Sequence, residues 1–229
     1  MIGAGDVWRE RPSPSHGPRR GSVPIDMLVI HYTGMADAAV ALDRLCDPAS
    51  EVSAHYVIEE DGSVWRLVPE ERRAWHAGRA FWAGETDINS RSIGIELVNP
   101  GHGPDYRFFP DAQMAALEGL AQGIFARHPI RSHLVLGHAD VAPGRKQDPG
   151  ELFDWKRLAA AGIGLWPNIP APASTGTFET DMRKFGYADA SPEAIIAFQQ
   201  HFRPAAATGI ADGETQALLR ALLIQAGLA

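Results

Sequence analysis

The chain has 229 residues, 45% of them hydrophobic and 21% charged, with a formal net charge of -7. That length suits one sizeable domain, or a medium domain with a small one, and the composition is that of a globular protein. The acidic balance argues against a nucleic-acid surface, and the single cysteine, Cys46, excludes an intrachain disulfide and a thiolate metal cluster.

Cys46 reads as a small buried residue. Any metal must then be held by histidine and carboxylate, and nine histidines supply the material. The opening "MIGAGDVWRERPSPSHGPRRG" lacks a basic segment followed by an apolar one, so it does not read as a secretory signal. No stretch approaches the ~18 apolar residues of a membrane span. A soluble, cytoplasmic protein is expected, or a periplasmic or outer-membrane one if a leader is missing from the chain.

Residues 1–24 are rich in Pro, Arg and Gly and predict an irregular arm. "DMLVIHYT" predicts an internal strand, and "ADAAVALDRLCD" a short helix. "SAHYVIEEDGSVWRLVP" predicts a hairpin, with Asp61-Gly62 as its turn signal. "SIGIELVNP" predicts a strand stopped by Asn99-Pro100. "DAQMAALEGLAQGIFARH" predicts a helix with Asp111 as N-cap. A short strand in "LVLGHAD" and a helix in "DWKRLAAAGI" complete this unit. The fold class is therefore α/β, a mixed central sheet flanked by helices. "WPNIPAPASTGT" reads as a linker. Beyond it lie three helical patterns, the second opening on Ser191-Pro192 and the third capped by Asp212. The division predicted is 1–166, a linker over 167–177, and a small three-helix domain over 178–229.

The strand "VIHYTG" delivers His31 to its C-terminal edge, where α/β proteins place their chemistry. His138 ends "LVLGHAD", and Asp148 follows ten residues later across a Pro- and Gly-containing loop. Two histidines and one carboxylate are the protein ligands of a catalytic zinc, with one position left open. From spacing alone, ordinary structural roles are the favoured reading, since His138 can be a plain strand-end residue and Asp148-Pro149-Gly150 is also a good turn. Alternation in "SIGIELVNP" places Ile93, Ile95 and Leu97 on one face and Glu96 on the other. A carboxylate among apolar neighbours is either paired or raised in pKa, as a proton shuttle requires. Lys146 shares the Asp148 loop, where a cation can steady an oxyanion.

In this order "VIHYTG", "SAHYVI", "WHAG", "SIGIELVN" and "GHADVAPGRKQDPG" resemble the zinc-dependent N-acetylmuramoyl-L-alanine amidases of the amidase_2 type. This AmpD- and AmiD-like group shares its fold with peptidoglycan recognition proteins. The resemblance covers roughly residues 8–166, and the tail is similar to small helical peptidoglycan-binding modules. It implies one zinc ion on His31, His138 and Asp148, Glu96 as the catalytic carboxylate and Lys146 as the oxyanion partner. The implied substrate is the amide between MurNAc, or 1,6-anhydro-MurNAc, and L-alanine of the stem peptide. Peptidoglycan fragments are thus the expected partners, and the sequence carries no signal of oligomeric state.

Further groove residues are expected in Trp75 and His76, as a sugar platform and a donor, and in His55. Asn89 and Arg91 are expected to grip muropeptide carboxylates, for which Arg is suited. His16, His102, His128, His133 and His201 are assigned surface or structural places. Two other readings stay open: a binding-only recognition protein, and a zinc hydrolase acting on another peptide amide. With no candidate catalytic group beyond Asp148, the tail is expected to be dispensable for chemistry unless its helices pack against the groove.

Overall fold

The computed structural model describes residues 8–22, 24–168 and 176–229. Its strands are β1 (Arg9–Glu10), β2 (His16–Pro18), β3 (Met27–Tyr32), β4 (Tyr56–Ile58), β5 (Val64–Arg66), β6 (Arg72–Ala74), β7 (Ser92–Leu97) and β8 (Val135–Gly137). Six of them form one mixed sheet in the order β1-β5-β4-β7-β3-β8, and β2 pairs with β6 as a separate antiparallel ribbon. β4 and β5 are the predicted hairpin, turning at Gly62, whose φ of +86° is open to glycine at no steric cost. β3 runs parallel to both β7 and β8, and β4 runs parallel to β7. The C-terminal ends of these four strands therefore emerge along one edge.

Alternation along β3 sorts the core into two sides. Leu28 and Ile30, with Ile93, Ile95 and Leu97 of β7, face α3 (Asp111–Arg127), which buries Met114, Leu117, Leu120, Ala121 and Ile124 against them. α5 (Trp155–Ala160) joins the same side through Trp155 and Leu158. The opposite face is covered in two parts. At one, α1 (Ala38–Cys46) packs Leu42 and Leu45 against Val57, Leu67 and Val98. At the other, Met27, Val29 and Leu136 meet the C-terminal helices α6 (Phe178–Phe185), α7 (Pro192–Phe202) and α8 (Gly213–Ala226). Two single turns, α2 (Ile88–Arg91) and α4 (His138–Val141), complete the elements used below.

Several expectations change. The C-terminal helices are present, with Ser191 and Asp212 capping α7 and α8 as predicted. They do not enclose a core of their own, because Met182, Phe198, Leu219 and Leu222 share one buried cluster with Met27, Val29, Trp82 and Leu136. Three short helices bury too little by themselves, and the sheet supplies the missing surface. The arm is not wholly irregular, since it contributes β1 and β2. Asp111 is the first residue of α3 rather than its cap; Pro110 precedes it, and the Asp111 carboxylate instead pairs with Arg157 at 2.8 Å. Cys46 is only partly buried, with its thiol against the Arg11 carbonyl at 3.4 Å. Of the predicted linker, residues 169–175 lie outside the described residues. No helix of the described residues is long and apolar enough to cross a membrane.

Candidate active site

His31 follows Met27 and Val29 along one face of β3, beyond the point where the C-terminal helices cover it. In the β3–β7 register it lies beside Glu96, as Val29 lies beside Gly94. His138 is the first residue of α4, immediately after β8, and Asp148 comes from the loop that follows. The His31 and His138 Nδ1 atoms are 2.9 Å apart, and each is 3.0 Å from Asp148 Oδ2. All three side chains are buried. Their backbones are joined too, for the Ala139 N–H donates to the Asp148 carbonyl at 2.9 Å.

The surrounding hydrogen bonds determine where the ring protons sit. Ser92 Oγ donates to the Ile88 carbonyl at 2.7 Å, so it accepts from His76 Nε2–H, 3.1 Å away. His76 Nδ1 is then bare and accepts from His31 Nε2–H at 3.0 Å. Burial, reinforced by the neighbouring imidazoles, holds His31 down at about 4 and His76 well below its ordinary value, so both rings are neutral. His31 therefore turns a bare Nδ1 toward Asp148. His138 Nε2 lies 3.0 Å from the Ala77 carbonyl, which only accepts, and 3.3 Å from Arg145 Nη2, which only donates; the shorter contact places the ring proton on Nε2 and leaves Nδ1 bare in that tautomer. With the ring protons on Nε2, the two Nδ1 atoms and Asp148 Oδ2 turn lone pairs toward one point. A cation between them removes their mutual repulsion, and His31, His138 and Asp148 form a set able to hold a metal ion.

A cavity of about 390 Å³ opens above this cluster, with Tyr32, Trp75, His76, Glu96, Lys146 and Arg145 among its walls. Glu96 Oε2 is buried without a hydrogen-bond partner among the described residues. Burial, then the Asp148 charge, push the Glu96 carboxyl well above its usual range, and Lys146 opposes them. Lys146 is exposed at the rim. Five of the predicted residues, His31, His138, Asp148, Glu96 and Lys146, are therefore brought to one place.

The other predicted residues divide. Trp75 and His76 line the cavity, though His76 is engaged with His31 and Ser92. His55 is not a groove residue. It is buried under the sheet, where Nδ1 accepts from the Gly94 N–H at 2.9 Å and Nε2–H meets the Arg72 carbonyl at 3.1 Å. Burial and the nearby Arg19 guanidinium hold its ring down at about 3. Asn89 is buried, and its Oδ1 accepts from the His76 and Ala77 N–H groups at 3.1 and 2.8 Å, fixing the segment that carries His76. Arg91 is turned away and forms a two-bond ion pair with Asp26 at 2.9 and 2.5 Å. Neither Asn89 nor Arg91 is among the residues that line the cavity. Of the histidines set aside, His201 is deeply buried, and His102 bridges Tyr32 and Glu151 at 2.9 Å each.

Sequence reasoning missed Ser92, which sets the His76 tautomer, and Arg145, which donates to the Ala77 and Arg79 carbonyls at 2.6 and 3.0 Å. It also missed Arg19. That guanidinium donates to the carbonyls of Glu70, Asn89, Ser90 and Ser92 at 2.7 to 3.1 Å, holding the arm against α2 and β7. Only the position of Ser92 at the head of an apolar strand could have drawn notice.

Residues 21–151 match the family Amidase_2, described as N-acetylmuramoyl-L-alanine amidase. The chain is 40% identical over 235 aligned residues to N-acetylmuramoyl-L-alanine amidase AmiD of Escherichia coli K12, covering 89% of this chain and 84% of the relative. A solved complex of E. coli AmiD with the substrate anhydro-N-acetylmuramic acid-L-Ala-D-gamma-Glu-L-Lys superposes with a TM-score of 0.81 and 39% identity, over 96% of this chain and 94% of that one. AmpDh3 of Pseudomonas aeruginosa, in complex with anhydromuramic pentapeptide, gives a TM-score of 0.79 and 33% identity over 98% of both chains. The family match spans both β3 with His31 and the loop with Asp148, and the likeness in fold runs on through the C-terminal helices. The chain belongs to the Amidase_2 family of N-acetylmuramoyl-L-alanine amidases.

Proposed function

We propose that the protein hydrolyses the amide between the lactyl group of N-acetylmuramic acid, or its 1,6-anhydro form, and L-alanine of the stem peptide. The reading rests on one observation above all: the bare Nδ1 atoms of His31 and His138 and the Asp148 carboxylate converge at 2.9–3.0 Å beneath an open cavity. The linkage is that of the substrate named in the AmiD complex. His31, His138 and Asp148 would hold one zinc ion, a donor set that leaves a position for a reacting group. When bound, zinc supplies Lewis acidity toward the amide carbonyl and acidifies water.

The remaining work falls to the chain's own groups. Glu96 takes a proton from the attacking water and returns it to the L-alanine nitrogen as the amide breaks. Its upward-shifted carboxyl suits reversible exchange. Lys146 donates to the carbonyl oxygen as negative charge gathers there. Trp75 offers an aromatic wall to the sugar. The cavity volume falls in the usual range for a small ligand, which favours a single muropeptide. A cytoplasmic place of action on such fragments is part of the proposal. Fractionation of cells carrying the complete reading frame tests it, and recovery in the envelope fraction overturns it.

The chemistry is tested by incubating zinc-loaded protein with anhydro-MurNAc-L-Ala-D-Glu-L-Lys and weighing the products. A free peptide beginning in L-alanine with an intact sugar is expected. Cleavage at any other amide overturns the assignment. His31→Ala, His138→Ala and Asp148→Ala should each lose both zinc and activity; stoichiometric zinc in all three places the metal elsewhere.

A further inference from the structure

The four-residue turn α4 carries His138, and a buried carboxylate within it is held from the C-terminal helices. Asp140 is 1% exposed. Its Oδ2 accepts from the Gly137 N–H at 2.7 Å and from His201 Nδ1 at 2.7 Å, and its Oδ1 accepts from the Tyr187 hydroxyl. Tyr187 follows α6 and His201 lies on α7, so two of the three donors come from more than forty residues further along the chain. His201 Nε2 is buried without a partner among the described residues, which leaves Nδ1 as the nitrogen that carries the proton. The ring is clamped between Trp155, at 3.7 Å and 20°, and Phe202, at 3.8 Å and 9°.

This arrangement fixes the His138 backbone on both sides. The residue before it, Gly137, is tied through its N–H to Asp140. The residue after it, Ala139, donates to the Asp148 carbonyl at 2.9 Å. A Cβ added at Gly137 would lie 2.8 Å from Pro149 and 3.3 Å from Trp155, so the turn has no slack on that side. Any movement of Asp140 must therefore shift the backbone of one proposed metal ligand and the carbonyl of another.

We infer that Tyr187 and His201 are positioning residues for the metal site, acting through Asp140 on His138 and Asp148. The inference rests on the metal reading above and adds to it a role for the C-terminal helices that wall binding does not require. The two donors hold the Asp140 carboxylate in the rotamer that tethers Gly137. Without them it is left buried with lone pairs unmatched, and the α4 turn loses its reference to α7. Groups hydrogen-bonded directly to metal ligands typically change metal affinity by ~10–100-fold, and Tyr187 and His201, one contact further back, are expected at the lower end.

The test measures zinc affinity of the full chain by competition with a chromogenic chelator, alongside thermal unfolding of the metal-free protein. Tyr187→Phe removes only the hydroxyl. His201→Asn and His201→Leu both lose the stacked ring, but only Asn keeps an N–H donor near the Nδ1 position. Tyr187→Phe and His201→Leu are expected to weaken zinc binding by about 10-fold or more, with His201→Asn recovering most of the loss. His201→Leu should also melt below His201→Asn, because it leaves the buried Asp140 carboxylate short of a donor while both lose the same stacking. Equal zinc affinity in the Asn and Leu variants, or native affinity in Tyr187→Phe, overturns the inference. If the His201 variants do not fold, Tyr187→Phe alone decides it. A native chain that binds no zinc overturns the metal reading itself, an outcome distinct from native binding that the variants leave unchanged.

Discussion

Glu96 lies beside His31 in the strand register, yet its Oε2 has no partner among the described residues. That combination suits a group that exchanges protons rather than one that holds metal. Glu96→Gln should keep its zinc and lose about 10³-fold in turnover, within the range typical of general acid–base catalysis. Lys146→Ala should cost roughly 10²-fold, as for a lost oxyanion contact. Single-turnover rates with metal analysis check both, and near-native turnover in Glu96→Gln removes it from the chemistry. Ser92→Ala frees the His76 ring to flip its tautomer, which unsettles the bare Nδ1 of His31. A fall in zinc affinity of ~10-fold is expected, measured by chelator competition. The convergence of His31, His138 and Asp148 was expected from the motifs that resemble the amidase family, because their spacing alone also fits a strand end and a turn. Asn89, Arg91 and His55 were misplaced because the same residue types also serve as structural ties. Arg91 finds Asp26 65 positions away, a partner that no local pattern reveals.

The strand β7 must be thin at one point. A Cβ on Gly94 would overlap the His76 ring, and the Gly94 N–H is the donor to His55. Gly94→Ala should therefore push His76 from His31 and lower both thermal stability and activity. An unchanged melting temperature would show that the ring has room to yield. A second element-scale test concerns the segment after β5, where Glu70 accepts from Arg127 and His128 at the C-terminal end of α3 and from Tyr56 of β4. Burial would raise the Glu70 carboxyl, but these donors outweigh it and bring it from 4.5 to about 2. A carboxyl depressed in the folded state contributes stability above its unfolded pKa and loses it as pH falls through the folded one. The contribution, of order 3 kcal/mol, should be complete above pH 4.5 and gone near 2. Glu70→Gln should melt well below the native protein at pH 7, with the gap closing in that window. The hairpin, β3, β7 and α3 were legible from apolar spacing and turn residues. α4, β1 and β2 were not, because they are short and, unlike the hairpin with its Asp61-Gly62 turn, carry neither an apolar run nor a hairpin turn signal.

At the scale of the whole molecule, the C-terminal helices close one face of the sheet. Trp82, fully buried, packs edge-on against Phe185 and Tyr187, and Gly186 has no side chain because the Trp82 ring occupies that space. Truncation after Trp166 uncovers Met27, Val29, Trp82 and Leu136. At ~1.5–3 kcal/mol for each such side chain, the loss rivals the ~5–15 kcal/mol that holds a domain together. The truncated chain should bind a hydrophobic dye, aggregate and lose activity, against the expectation that the tail is dispensable. Recovery of a monomer with native melting and turnover would restore that expectation. The three helical patterns were legible, but not their attachment, because amphipathic spacing shows that a face is apolar without showing what covers it. The placing of Tyr187 and His201 behind the His138 turn also sets an order in time. A chain is made from its N-terminus, and α6 and α7 leave the ribosome only after every candidate catalytic group has done so. The nascent protein thus carries all its chemistry before it carries the means to hold that chemistry in register. A ribosome that stalls within the last quarter of the sequence releases a product with an open apolar face and a loose His138 turn, an inactive chain and a target for proteolysis. On this reading, the synthesis of α6 and α7 is the step that arms the enzyme.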